Sequence, residues 1–363
     1  EAAARYPLTR ETTKFSMTLP LKYSYAPMEA KSVAELPTGR QWQYEPKWDG
    51  FRCIAFRDGA KVELRSKAGK SLSRYFPEII AALRKIRAKK FVLDGELVIP
   101  QDKALSFDAL LQRIHPAASR VTKLSTGTPA MYVVFDLLVG ERGRALIDEP
   151  LKERREMLEA FADRYFDAES AFMRLSPSTR SLALARRWLE GRAGLDGVVA
   201  KCTDLPYESG NRTGMQKVKR IHTADCVVGG FRYATKGHVV GSLLLGLYDS
   251  DGLLNHIGFV SSFTVEERKA LLPKIEKLIK PPGFTGQKPG GPSRWSTDRS
   301  ADWQPLAPKL VVEVTYDHFS GDRFRHGTSF VRWRPDKAPR QCTMDQVKPP
   351  VANVSRMLRA PVR

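Results

Sequence analysis

Lys47 lies in the hexapeptide Lys47-Trp48-Asp49-Gly50-Phe51-Arg52, after a proline and before a glycine turn. A lysine amine attacks phosphorus only when neutral, and burial beside other cations lowers its pKa enough to allow that. The spacing predicts a lysine at a strand edge facing a cleft, with Arg52 at hand for phosphate or sugar. An ordinary turn with an exposed lysine has the same spelling. In 91–97 an apolar run meets Asp94-Gly95-Glu96. A carboxylate there can bond a ribose hydroxyl or bind a metal, or belong to a solvated hairpin turn. Phe135, within 131–138, can stack on a purine or simply fill a core. Asp196, in 195–201, offers an oxygen to Mg²⁺. In Met215–Lys219 alternate residues share a face. Lys217 and Lys219 are thus predicted to aim two ammonium groups into one space, which suits an α-phosphate as well as a plain basic strand face. In 332–337, Arg334 and Lys337 could reach β- and γ-phosphates, or form a surface charge run.

These groups need elements to hold them. Between 21 and 222, strands are predicted at 53–56, 62–65, 91–99, 131–138 and 197–201, and helices at 76–86, 107–113, 152–162 and 181–190. Strand runs separated by helices give an α+β fold. From about Ala224 the texture becomes β-rich: strands at 227–231, 242–248, 253–259 and 310–316, with one helix at 265–278. Several strands and one helix suit a small Greek-key barrel of the OB type. The predicted organisation is an arm at 1–20, an α+β domain at 21–222 and a barrel domain at 223–363, hinged near 220–224. The Gly/Pro-rich basic stretch 281–294 reads as a mobile loop. Lys280, Lys288, Arg294 and Arg299 there could grip phosphates without reading bases, or form a solvated linker.

The chain has 363 residues, 60 of them Lys or Arg against 40 Asp or Glu, for a net charge of +20. That excess points to a polyanionic partner, nucleic acid before acidic lipid. Cys53, Cys202, Cys226 and Cys342 form no CxxC pair and have no histidine at zinc-ligand spacing, so they read as reduced thiols. Residues 1–30 lack a continuous apolar run of signal-peptide type, and no run is long enough for a membrane span. The expectation is a cytoplasmic protein. The opening EAAAR resembles a helical spacer.

KWDGFR, RSKAG (65–69), DGEL, VFDLL, DGVVAK, KVK and RPDK follow one another in one order. This series resembles the ATP-dependent DNA ligases, and most the compact bacterial ligase C type. The resemblance covers about Tyr25 to Pro339. It implies a nucleotidyltransferase domain, ATP-grasp-like with antiparallel sheets and helices, followed by an OB domain. It further implies that Lys47 becomes adenylated, that Glu45 contacts adenine, and that Arg52 and Arg65 lie near ribose and phosphates. Glu96 matches a ribose- or metal-binding acid, and Phe135 the stacking aromatic. Asp196 stands where the family usually has Glu, and binds metal with Glu96. Arg212 matches a basic residue before the phosphate-binding Lys217 and Lys219, and Met215 replaces a frequent Trp. Arg334, Asp336 and Lys337 match the RxDK motif.

The implied cofactors are ATP and Mg²⁺ or Mn²⁺. The implied partner is duplex DNA with nicks or breaks, sealed by a monomer at the bacterial nucleoid in DNA repair, with room for end-binding or polymerase repair proteins. An RNA ligase or mRNA-capping-type guanylyltransferase shares the lysine motif and the closing OB domain. A non-catalytic nucleic-acid-binding protein is the rival from another class.

Overall fold

The computed structural model describes residues 18–101, 104–167, 171–190, 195–290, 302–348 and 358. Most of the arm at 1–20, with the EAAAR segment, lies outside them, as do Arg294 and Arg299.

One sheet of five strands is built from β1 to β6 with one exception. The strands are β1 (Trp42–Lys47), β2 (Phe51–Asp58), β3 (Lys61–Ser66), β4 (Lys90–Val98), β5 (Met131–Val139) and β6 (Met173–Leu175). Its order is β3-β2-β4-β5-β6, while β1 belongs to a second sheet. That second sheet adds β7 (Gly197–Cys202) and β8 (Met215–Lys219), in the order Lys31–Ser32, β8, β7, β1. Five helices connect these strands: α1 (Pro77–Lys85), α2 (Phe107–Arg113), α3 (Ala118–Gly127), α4 (Leu151–Tyr165) and α5 (Leu182–Leu189). The sequence reading had no helix at α3 and set the other bounds within a few residues.

All nine residues of β5 are buried. Its alternation explains why. Tyr132 and Val134 pack in the core that includes Leu83, Leu158 and Phe161 of α1 and α4. Val133 and Phe135 pack against Tyr44, Val198 and Ala200 of the second sheet. A strand covered on both faces reads as a continuous apolar run rather than an alternating one. The space between the two sheets is where the polar motifs converge.

After β8 come only Arg220 and Ile221, then β9 (His222–Tyr233), β10 (Val240–Tyr248), β11 (Leu254–Val260), α6 (Val265–Glu276), β12 (Val311–Tyr316) and β13 (Ser329–Trp333). The sheet order is β11-β10-β9-β12-β13. Its two edges meet: Val260 bridges Thr328 in parallel, and Phe330 N donates to Ser262 Oγ at 2.8 Å. Closure of five strands, with one helix between the third and fourth, makes this the expected OB barrel. The helix opens on a capping box between Thr264 and Glu267. Strand β13 was missed in the sequence: SFVRW is short, none of its residues is buried, and it runs directly into the charged Arg334–Lys337 stretch.

The described part of 281–294 contradicts the mobile-loop expectation. Phe284 is fully buried, with ring centroids 5.5 Å from Trp303 and 5.4 Å from His256. Glycines at 229 and 246 leave the room its ring needs: a Cβ at either would lie within 3 Å of it. The Gly/Pro content shapes the approach of a core anchor.

Candidate active site

Strand register assembles the site. Lys47, Gly197 and Lys219 form one row across β1, β7 and β8; Glu45, Val199 and Lys217 form the next; Gln43, Lys201 and Met215 the third. Alternation then puts these rows on one face of the sheet. Facing them, Arg52 of β2 stands opposite Glu96 of β4, and Phe135 of β5 lies beyond. Lys47, Glu45, Arg52, Glu96, Phe135 and Lys217 line one cavity of about 150 Å³ between the sheets. Lys67 and Lys201 also line it, as do Met28 and Glu29 of an N-terminal strap.

Two cations lie over the Phe135 ring, the Arg52 guanidinium 4.5 Å and the Lys201 ammonium 4.6 Å from its centroid. Lys201 pairs with Glu45 at 2.9 Å, and Gln43 donates to Glu45 at 3.0 Å. The sequence marks Lys201 only as the last residue of DGVVAK, without a role; its place two residues beyond Val199 on a buried strand was the available signal. Burial drives the Glu96 carboxyl up to about 8, against the pull of Arg52 and Lys47. Burial, with Lys47 and Lys219 nearby, lowers the Lys217 pKa.

Lys47 departs from the expectation of a lowered pKa. Burial does pull it down, but Asp196, then Glu96 and Asp49, outweigh burial and leave it raised. Its Nζ donates to Asp196 Oδ2. Asp196 precedes Gly197, whose φ of +151° and whose Cβ position, 2.1 Å from Val218 O, admit no side chain. That glycine lets the strands close until Asp196 meets Lys47. Burial raises the Asp196 pKa, yet His318 and Lys47 overrule it and hold it low.

Several expected placements differ. Lys219 lies on the same face as Lys217 but does not line the cavity: it pairs with Asp317 of the barrel at 2.9 Å. The strand parity was right, but an acid from outside the strand captured one lysine. Arg65 pairs with Glu63 at 3.0 Å and lines a separate groove with Tyr23. Arg212 is mostly exposed and pairs with Glu29 at 2.7 Å. Arg334 and Lys337 both bind Asp225 within the barrel, at 2.8 and 2.6 Å, and Asp336 caps Arg334. Neither lines the cavity. Asp196 meets Asp49 and His318, whose ligand atoms lie within 4.8 Å of one another, rather than Glu96.

The barrel instead offers a hairpin absent from the sequence reading. Phe319–Ser320 pairs with Arg323–Phe324 across Gly321 and Asp322, both at positive φ. Two central residues at positive φ make the tight turn whose twist suits a hairpin. Arg325 N donates to His318 O at 3.0 Å, so the two arms present their side chains next to one another. His318 Nε2 meets Asp196 Oδ1, and Arg325 chelates Asp49 at 2.7 and 2.9 Å while lying 4.0 Å over Phe107. Phe-Ser-Gly-Asp-Arg-Phe was a legible turn signal; its target was not.

Residues 27–219 match the family model described as ATP dependent DNA ligase domain, and 236–337 match ATP dependent DNA ligase C terminal region. DNA ligase C2 of Mycolicibacterium smegmatis is 45% identical over 358 residues, covering 92% of this chain and 97% of that one. The multifunctional non-homologous end joining DNA repair protein LigD of Mycobacterium tuberculosis is 30% identical over 319 residues, covering 86% of this chain and 39% of its own. Among solved structures, a Lig E DNA ligase aligns with TM-score 0.50 at 18% identity, over 85% of this chain and 100% of that one, a likeness of fold.

Proposed function

Because the chain belongs to the ATP-dependent DNA ligase family, we propose that Lys47 is the residue that carries AMP between ATP and the 5′-phosphate of a nick. The enzyme is a DNA ligase that uses ATP. The observation supporting the assignment is the row structure itself. Among the described residues, Lys47 is the lysine that both lines the cavity and bonds Asp196, which the barrel hairpin meets.

In the first step Lys47 Nζ attacks the α-phosphorus of ATP, the Nζ–P bond forms, and pyrophosphate leaves. Nζ must first lose its proton, and Asp196 is the acceptor in contact with it. His318 heads the groups that keep the Asp196 pKa low. Release of the barrel hairpin therefore makes Asp196 a better base at the moment ATP arrives. Glu45 with Lys201 and Phe135 hold the base, Arg52 and Glu96 the ribose, and Lys217 the α-phosphate as charge builds on it. Lys219, Arg334 and Lys337 join after their acidic partners let go, and Arg65 and Arg212 serve phosphates from the rim. Asp196, grouped with Asp49, would offer a hard cation, Mg²⁺ or Mn²⁺, carboxylate oxygens that neutralise phosphate charge; Glu96, on the cavity side, could add an oxygen only after losing its proton. AMP then passes to the 5′-phosphate, and the 3′-hydroxyl displaces it.

We assign 21–222 to the nucleotidyltransferase domain and 223–363 to the OB domain, with the connection at 220–221 as pivot. The setting is DNA repair at the nucleoid, beside end-binding or polymerase proteins. No helix among the described residues is long and apolar enough to cross a membrane. Intact-mass measurement after incubation with ATP tests the assignment. One AMP should add to the protein, leave on adding pyrophosphate, and be absent from Lys47→Ala. Undiminished labelling of Lys47→Ala sinks it.

A further inference from the structure

Tyr207 belongs to none of the seven motifs, yet it is buried and its hydroxyl makes two hydrogen bonds that converge on the cavity. It donates to Asp94 Oδ2 at 2.6 Å and accepts from Met28 N at 2.9 Å. Asp94, with no exposed surface, grips Arg52: Nε donates to Oδ1 at 2.6 Å and Nη2 to Oδ2 at 2.5 Å. Nη2 also reaches Met28 O at 3.3 Å. A guanidinium has five N–H donors in a fixed plane. Among the described residues, Nη1 is the nitrogen left with no hydrogen bond, and Arg52 lines the cavity. Fixing the other two nitrogens fixes where Nη1 points.

The same hydroxyl holds the strap. Residues 26–29 are stitched to the Tyr207 loop by Ser209 Oγ to Ala26 O (2.7 Å), Gly210 N to Pro27 O (3.3 Å) and Glu29 N to Asn211 O (2.8 Å). Met28 and Glu29 wall the cavity. Tyr25 stacks on the Tyr207 ring with centroids 6.2 Å apart. Burial, and then Asp94, push the Tyr207 pKa up, so its hydroxyl stays a donor.

We propose that Tyr207 is a positioning residue of the ligase reaction: wedged between Asp94 and the Met28 backbone, its hydroxyl aims Arg52 Nη1 at the nucleotide and sets the strap over it. This rests on the reading of Arg52 as a nucleotide contact. Tyr207→Phe keeps the ring and removes both bonds. A donor lost from a buried charged pair corresponds to a rate loss on the order of 10- to 100-fold where that pair acts.

The test is a double-mutant cycle on single-turnover AMP loading, using the full chain with ATP and Mg²⁺ for wild type, Tyr207→Phe, Arg52→Ala and the double variant. Thermal unfolding reports the fold of each. Tyr207→Phe should load slowly, and the double variant should be no slower than Arg52→Ala within about twofold. Multiplying effects mean Tyr207 is merely structural and overturn the proposal, as does a normal rate for Tyr207→Phe when Arg52→Ala is slow. A normal rate for Arg52→Ala overturns the Arg52 reading itself, and the proposal with it. If Tyr207→Phe does not fold, Asp94→Asn takes its place in the cycle, and independence from Arg52→Ala again overturns the coupling.

Discussion

Arg325→Ala should undock the barrel from the nucleotidyltransferase domain. Arg325 and Asp49 are each about one-sixth exposed, with side chains at 16%. Two charge-assisted hydrogen bonds join them, and Phe107 lies under the guanidinium. Truncating one partner of such a pair costs about 2–5 kcal/mol, and the cation–π contact contributes about 0.5–2 kcal/mol more. Water recovers part of this by solvating Asp49 once the domains part. A net loss of about 3 kcal/mol lowers the docked-to-undocked ratio roughly 100-fold. His318 on Asp196 and Lys219 on Asp317 then hold the contact. Small-angle scattering of the nucleotide-free variant should show a larger radius of gyration, and proteolysis near Arg220 and Ile221 should quicken. Because the docked form keeps Arg334 and Lys337 on Asp225 and out of the cavity, AMP loading should proceed at least as fast as in wild type. An unchanged scattering profile, or AMP loading that falls with the loss of the pair, refutes the reasoning.

Glu96 gives a pH test. Its folded pKa of about 8 exceeds its ordinary 4.5. Between those values the folded chain holds a proton that the unfolded chain has lost, so this group's contribution to stability falls as pH rises through the window. Glu96→Gln should therefore gain thermal stability over wild type more at pH 8 than at pH 5 without nucleotide; a pH-independent difference would count against the buried-acid account. Combined Arg334→Ala and Lys337→Ala should slow AMP loading severely while leaving sealing of a pre-adenylated nick less affected. Intact loading would mean that the barrel never closes over ATP.

The readable part of this protein was whatever a short stretch of chain carries by itself. Helix α2 was placed to the residue at 107–113, and the structure shows Ser106 capping its start. The cavity-lining residues Lys47, Glu45, Arg52, Glu96, Phe135 and Lys217 were named from short motifs and the family they resemble, with strand parity adding only that Lys217 and Lys219 share a face. What escaped depended on partners distant in sequence. Lys47 was expected to be depressed by cations, but the nearest charge is Asp196, 149 residues away. Lys219 obeyed its strand and was still drawn off by Asp317. Phe284 hides in a stretch whose composition speaks only of turns. Arg325 and His318 carry no motif spelling, since their role exists only when two domains touch.

The connection at Arg220 and Ile221 sets a consequence of its own. Two residues span only a few Cα steps of about 3.8 Å, so the barrel never leaves the neighbourhood of its partner. Its local concentration stays at the millimolar level that short tethers impose. In the proposed mechanism, two faces of one tethered body, the hairpin carrying His318 and Arg325 and the loop carrying Arg334 and Lys337, then compete for a single berth. The Arg220 amide is bonded to the Asp196 carbonyl at 3.0 Å, so the axle of this turnstile is bolted to the residue that touches Lys47. If the proposed closure over ATP holds, only one face is admitted at a time, and the order of the chemical steps becomes a matter of traffic rather than of signalling.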